Sequence, residues 1–268
     1  MPGAERYLHG HHQSVLRVHE ARTVENSAAY LIPELRAGAT LLDVGAGPGT
    51  ITIDFARRLA PGRVIGVDAA AAAVARANDR AAAEGLGNLE FRTGDIYALD
   101  FPDDSFDIVH AHQVLQYLAD PVAAIRELRR VTKPGGVVAV RDVDYGGVRW
   151  FPWIEGIETW RDLYQRVARI YGGEPDAGPQ LRDWALRAGF DDVTTTASIW
   201  CFATQEDRDW WGGSWAERAV DSEFATQAKD SGFATQQVLE QIADAWRAWA
   251  ASPNGVFNMP HNEVLARK

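Results

Sequence analysis

The chain has 268 residues, 46% of them hydrophobic and 24% charged, with a formal net charge of -10, which is the make-up of an ordinary globular protein with room for one full core. The acidic balance, with no basic run of five or six residues anywhere, argues against nucleic acid or an anionic membrane surface as a partner. A single cysteine, Cys201, excludes an internal disulfide and a multi-thiolate metal site, and with no apolar run of about 18 residues we expect a cytoplasmic protein without a membrane span.

The first feature along the chain is HGHHQSVLRVH (9–19), which holds four of the seven histidines. His12 and His19 lie seven apart on one helical face with Val15 and Leu16. A metal site would favour histidines at i and i+4 joined by a carboxylate or thiolate, so we expect a helical lid and no metal. ARTVENSAAYLIPEL (21–35) reads as a second helix leading into a first strand, TLLDV, which ends in the glycine turn GAGPG. A helix follows over ITIDFARRLA, then a second strand RVIGVDA (63–69) and an Ala-rich helix over 70–86. Further strands are expected at LEFRTGD (89–95), FDIVHAH (106–112) and GGVVAVRDVD (135–144). Between the last two, PVAAIRELRRVT is an amphipathic helix with Val122, Ile125, Leu128 and Val131 on one face.

Short apolar strands alternating with helices specify an α/β fold, a parallel sheet with helices on both faces. Past Asp144 the alternation stops. Residues 150–173 and 178–190 read as helices, 192–203 as a strand, and two more helical stretches run to about residue 251. GVFNMPHNEVLARK (255–268) closes the chain as a strand, which Pro260 would confine to an edge or a bulge. No linker or internal repeat interrupts the sequence. We expect one domain over 1–268: a lid (1–38), a core (39–145), a helical cap insertion (146–189) and C-terminal strands with a helical insertion (190–268).

In such a sheet ligands bind at the carboxyl ends of the strands. Gly45, Gly47 and Gly49 stand at the first of these ends, where a backbone without Cβ atoms can approach a ligand. Asp68 ends the second strand, where a carboxylate can accept from two ribose hydroxyls; its plainer reading is an N-cap for the next helix. Asp95 follows the third strand and can accept an exocyclic amine, with Ile96 packing on the ring; it could equally be a turn carboxylate. Taken together and in order, they describe a nucleoside site. The glycine spacing is G-x-G-x-G with Pro48 inside it, which is not the dinucleotide pattern G-x-G-x-x-G, and no G-K-[ST] follows to make a P-loop.

At this point the chain resembles the class I S-adenosylmethionine-dependent methyltransferases, in particular the small-molecule branch of the ubiquinone and menaquinone biosynthesis type. The stretches that carry the resemblance are LLDVGAGPGT, VIGVDA, GDIYALDFPDDSFDIVHAHQVLQYLADP and ELRRVTKPGGVVAV, which occupy residues 41–140 in the family's order. The resemblance implies a Rossmann-like sheet of seven strands, the last antiparallel. S-adenosylmethionine would lie across the strand ends, with Asp43, Gly45, Ala46 and Gly47 beside its methionine part. Asp68 and Ala69 would meet the ribose, Asp95 and Ile96 the adenine, and His112 and Gln113 would stand near the sulfonium. In folds of this type the segment before the first motif covers the cofactor, which puts Tyr7, His11 and Arg22 near the cofactor carboxylate or the acceptor.

Methyl transfer from a sulfonium is an in-line displacement, so a general base is needed only when the acceptor must lose a proton. His11 and His112 are the candidates for such a base, with His9, His12 and His261 behind them. Gln116 and Tyr117 are expected on the acceptor side, and Asp142 and Asp144 as hydroxyl or cation ligands or turn caps. All ten tryptophans fall between Trp150 and Trp249. Tyr145, Trp150, Trp153 and their aromatic neighbours therefore suggest an apolar or aromatic small-molecule acceptor. The expected assembly is a monomer or homodimer. The rival readings are a methyltransferase-fold protein with cyclase or decarboxylase chemistry, a non-catalytic binding module for the same cofactor, and a nicotinamide oxidoreductase.

Overall fold

The computed structural model describes residues 21–268; Tyr7, His9, His11, His12 and His19 lie outside the described residues, and the expected histidine-bearing lid with them. Eight strands make one sheet among the described residues: β1 (Leu41–Val44), β2 (Val64–Asp68), β3 (Leu89–Thr93), β4 (Phe106–His112), β5 (Thr132–Val143), β6 (Arg149–Phe151), β7 (Asp192–Phe202) and β8 (Val256–Arg267). The order across the sheet is β3-β2-β1-β4-β5-β8-β7, and the short β6 continues the line of β5 along the same edge of β8. β1 to β5 run parallel, and β8 is antiparallel to each of its neighbours.

The helices are α1 (Val24–Ser27), α2 (Thr50–Leu59), α3 (Ala71–Glu84), α4 (Pro121–Val131), α5 (Glu155–Ile170), α6 (Ala177–Arg187), α7 (Gln205–Val220), α8 (Glu223–Asp230) and α9 (Gln236–Ala251). β1 is an unbroken apolar-rich run, LLDV, because all four residues are buried between two helical layers. On one face α4 and α6 pack Ile125, Leu128, Leu181 and Trp184 against Val109, Val138 and Val264. On the other face Leu31 and Phe55 meet Leu41, Ile108 and Ala139. α5, α7, α8 and α9 form a cap with its own core, in which Trp160, Trp215, Trp246 and Trp249 gather around Phe257.

Several expectations change. The sheet has eight strands among the described residues where seven were expected, the short β6 pairing with β8. Residues 21–35 are not one helix: α1 ends after one turn and a 3-10 segment, Ala29–Glu34, follows with Pro33 inside it, which has no N–H to extend an α-helical ladder. Residues 150 and 151 are strand, not helix, because Trp150 and Phe151 pair with Phe257 and Val256. α6, expected in the cap, covers the sheet instead. The cap is thus assembled from two separated stretches, α5 and α7–α9. Finally, β8 lies inside the sheet and not at an edge. Pro260 is tolerated there because its carbonyl accepts from Asp144 N at 3.0 Å on the β5 side. In an antiparallel strand N and O of one residue face the same edge, so the missing N–H falls in the gap between the end of β5 and the start of β6.

Candidate functional site

A cavity of about 340 Å³ opens along the carboxyl ends of β1 to β4. Its wall contains Arg22, Asp43, Gly45, Ala46, Gly47, Asp68, Ala69, Asp95, Ile96, His112 and Gln113, which are all of the described residues expected at a cofactor. The parallel register explains the convergence: Asp43 stands beside Gly66 on one side and His110 on the other, so the loops leaving β1, β2 and β4 emerge side by side.

The glycine turn is held open by its own backbone. Gly45 and Gly47 have φ of 75° and 53°, a left-handed region that costs residues other than glycine about 1–2 kcal/mol. A Cβ on Gly47 would meet nothing within 4 Å, so the cavity reaches the backbone itself there. Asp68 is half-buried and bridges two turns: Oδ2 accepts from Gly47 N at 2.8 Å and Oδ1 from Ala70 N at 2.9 Å. Asp68 is not the N-cap of α3: that residue is Ala70, with no side-chain cap bond, and Asp68 holds the backbone N of Ala70 just ahead of the helix while lining the cavity. Asp95 likewise accepts from Tyr97 N at 2.9 Å and remains exposed, while Ile96 beside it is buried.

Asp43 is more deeply engaged than the sequence suggested. Its Oδ1 accepts from His110 Nδ1 at 2.7 Å and its Oδ2 from the Thr52 hydroxyl at 2.6 Å. Because a carboxylate can only accept, Nδ1 of His110 carries the proton. This chain ties β1 to α2 and β4 beneath the glycine turn, and sequence reasoning missed it. The available signal was the two-residue spacing of His110 and His112, which puts both imidazoles on one face of β4.

His112 is 5% exposed and neither ring nitrogen has a hydrogen-bond partner among the described residues. Burial, then the guanidiniums of Arg22 and Arg141, hold its pKa well below the ordinary 6.5, so the ring is neutral. An unsatisfied buried polar atom costs about 1–3 kcal/mol, and such groups concentrate where a ligand is to be met. The ring lies 5.9 Å from the centroid of Trp200 and 6.3 Å from that of His261. Trp200, also missed, sits under Arg22 and Arg141 at 5.7 and 5.0 Å. Gln113 follows with φ of 53°, a strained conformation for a side-chain-bearing residue.

Along the same sheet row Arg141 pairs with Glu263 at 3.3 Å, and Glu263 also accepts from Thr196 at 2.7 Å. Burial lowers the pKa of Arg141 to about 10. Asp142 and Asp144 do not line the cavity. Asp142 accepts from Leu115 N at 3.0 Å and shapes the turn after β4; Asp144 accepts from Gly147 N at 2.8 Å. Burial pushes Asp142 up to about 7.

On the acceptor side the expectations divide. Tyr117, with Val114 and Leu118, lines the cavity next to His112. Gln116 is buried beneath it, against a small space shared with Tyr164 and Tyr171. Tyr145 stacks on Tyr164 at 4.0 Å inside the cap core, Trp150 stacks on Phe257, and Trp153 is 66% exposed. None of these three lines the cavity.

A family model described as a methyltransferase domain matches residues 35–209. An uncharacterized methyltransferase of Schizosaccharomyces pombe is 36% identical over 98% of this chain and 96% of its own. A ubiquinone/menaquinone biosynthesis C-methyltransferase of Bdellovibrio bacteriovorus is 34% identical over 59% of this chain and 68% of its own. The crystal structure of the YcgJ protein from Bacillus subtilis superposes with a TM-score of 0.60 at 20% identity, covering 91% of this chain and 98% of that one.

Proposed function

Because the chain belongs to the S-adenosylmethionine-dependent methyltransferases, we propose that the cavity at the strand ends holds this cofactor and that the enzyme moves its methyl group to an O, N or C atom of a small acceptor. The observation that carries the reading is the convergence of the glycine turn, Asp68, Asp95 and His112 on one wall. The donor set fits the group. Backbone at Gly47 leaves room for a ligand, two carboxylates stand at the ends of successive strands, and a neutral imidazole whose nitrogens have no partner among the described residues closes the row.

When bound, the cofactor supplies a methyl group on a sulfonium, already activated for displacement. The protein's part is to bind, orient and exclude water. Asp68, steadied by Gly47 N and Ala70 N, turns its remaining lone pairs to the ribose hydroxyls. Asp95 and the buried Ile96 take the adenine edge and face, and Arg22 meets the carboxylate. His112 stays neutral, so it orients a polar group of the acceptor by hydrogen bonding more readily than it stores a proton. Tyr117, Val114 and Leu118 offer the acceptor a mainly apolar wall. That wall, and not the tryptophans of the cap, is what supports an apolar acceptor.

The test is to incubate the protein with methyl-labelled S-adenosylmethionine and a small-molecule extract, and to follow label by mass spectrometry. We expect a labelled low-mass product formed together with S-adenosylhomocysteine. Cofactor binding with no transfer to any fraction would contradict the proposal.

A further inference from the structure

We propose that His261, on the last strand and outside the cavity wall, is a positioning residue of the cofactor site: through Gln113 it sets where the Arg22 guanidinium stands. The inference rests on the reading that the cavity holds S-adenosylmethionine, and it deepens that reading.

His261 is fully buried. Its Nδ1 lies 3.0 Å from the carbonyl oxygen of Met259, on its own strand. A carbonyl can only accept, so Nδ1 carries the proton and Nε2 presents a lone pair. The side-chain nitrogen of Gln113 lies 2.7 Å from that Nε2 and donates into it. The two ends of a glutamine amide have nearly the same shape, and hydrogen bonding alone decides which way it points. His261 decides it here. With the NH2 end committed to Nε2, Oε1 faces the other way and accepts from Arg22 Nη2.

The side chains of Arg22, Gln113 and His261, from distant parts of the sequence, thus form one directed chain that starts on the carbonyl of Met259, and its last member, Arg22, lines the cavity. The main chain supports the same geometry. Gln113 N donates to Arg141 O at 2.7 Å, and its φ of 53° swings the side chain away from the path of β4. The ring of His261 is itself held, 4.4 Å from the centroid of Trp200, over which Arg22 also lies. If the amide could turn over, its NH2 end would face a guanidinium, two donors with no acceptor between them, and Arg22 would have to move. The role of His261 is to forbid that turn, so that Arg22 meets the cofactor carboxylate with no reorganisation on binding.

The test combines calorimetry and NMR. His261→Phe keeps the ring volume against Trp200 and removes both nitrogens; Gln113→Leu removes the amide. Each should weaken S-adenosylhomocysteine binding about tenfold, and the double variant should lose no more than the worse single one, because both break one chain. Unchanged binding by His261→Phe, or fully additive losses, would overturn the proposal. In the wild-type protein, nitrogen NMR should find His261 protonated at Nδ1 alone, whereas a proton on Nε2 would refute the chain even if a variant failed to fold. Gln113→Glu replaces the donor facing Nε2 by a carboxyl group, so the Nε2 shift of His261 should move from its wild-type value whether the shared proton sits on the carboxyl or on the ring; an unchanged Nε2 shift would count against the coupling. Should the wild-type protein itself not bind S-adenosylhomocysteine, the cofactor reading fails and this inference with it. If wild type binds and His261→Phe binds equally, the role of His261 alone is lost.

Discussion

Gly45 and Gly47 stand two residues apart in one turn, both at left-handed φ, yet their missing side chains would meet different things. A Cβ at Gly45 would sit 2.2 Å from Val114 Cγ2, whereas one at Gly47 would enter open space at the cavity. Gly45→Ala should therefore destabilise the protein by about 2–4 kcal/mol, from backbone strain plus overpacking. Gly47→Ala should cost only about 1 kcal/mol in stability while weakening S-adenosylhomocysteine binding by about tenfold or more, since its methyl group takes ligand space. Urea denaturation and calorimetry on the two variants separate these effects. Equal stability losses with equal ligand affinities would contradict the division of labour within the turn. The spacing of these glycines was visible in the sequence, but which one faced protein and which faced ligand depends on where Val114 falls, and no local pattern states that.

The cap shows the same limit at the scale of an element. Ten tryptophans in one half of the chain suggested rings waiting for an acceptor, but six of them, Trp160, Trp210, Trp211, Trp215, Trp246 and Trp249, are one another's partners. Trp160 meets Trp215 at 4.6 Å and Trp246 at 4.9 Å, both edge to face, an arrangement that adds about 0.5–1.5 kcal/mol per pair beyond burial. Trp160→Ala should destabilise the protein by about 3–5 kcal/mol. Trp153→Ala, at a site 66% exposed, should change stability by no more than about 0.5 kcal/mol. Denaturant midpoints with unchanged slopes check both, and comparable losses would show that the cap core is wrongly placed. Composition reports how many rings there are and periodicity reports which side of a helix they share. Neither reports that α5, entering before β7, is completed by α7–α9, entering after it. The row of residues lining the cavity was legible because each stands at the end of its own strand, so chain order and spatial order agree. The relay through His261 was not, because it joins Arg22, Gln113 and β8 across nearly the whole chain.

For the whole molecule, buried titratable groups give stability a pH dependence with opposing parts. His112 and His261 are held well below their ordinary 6.5, chiefly by burial, so the folded chain refuses protons that the unfolded chain accepts. Their contribution is present above that value and is lost as pH falls through it. Asp142 runs the other way: raised from 3.8 to about 7 by burial, it keeps in the fold a proton that the unfolded chain gives up. Its contribution is present below 3.8 and is lost as pH rises through about 7. As pH falls from about 7.5 to about 5 the two imidazoles and the carboxyls of Asp142 and Asp144 act against one another, so Asp142→Asn, which removes one opposing group, should lose more melting temperature over that range than the wild-type protein does. Parallel melting curves for the two proteins would exclude this balance.

The proposed cofactor site rests above all on Asp68, at the end of β2, holding the ribose of S-adenosylmethionine. Titration calorimetry of the 268-residue chain with S-adenosylhomocysteine and, separately, with NAD tests it directly. We predict saturable binding of S-adenosylhomocysteine, no binding of NAD, and a loss of about 1–3 kcal/mol of binding free energy in Asp68→Ala. An affinity for S-adenosylhomocysteine that Asp68→Ala leaves unchanged, or a preference for NAD, would contradict it.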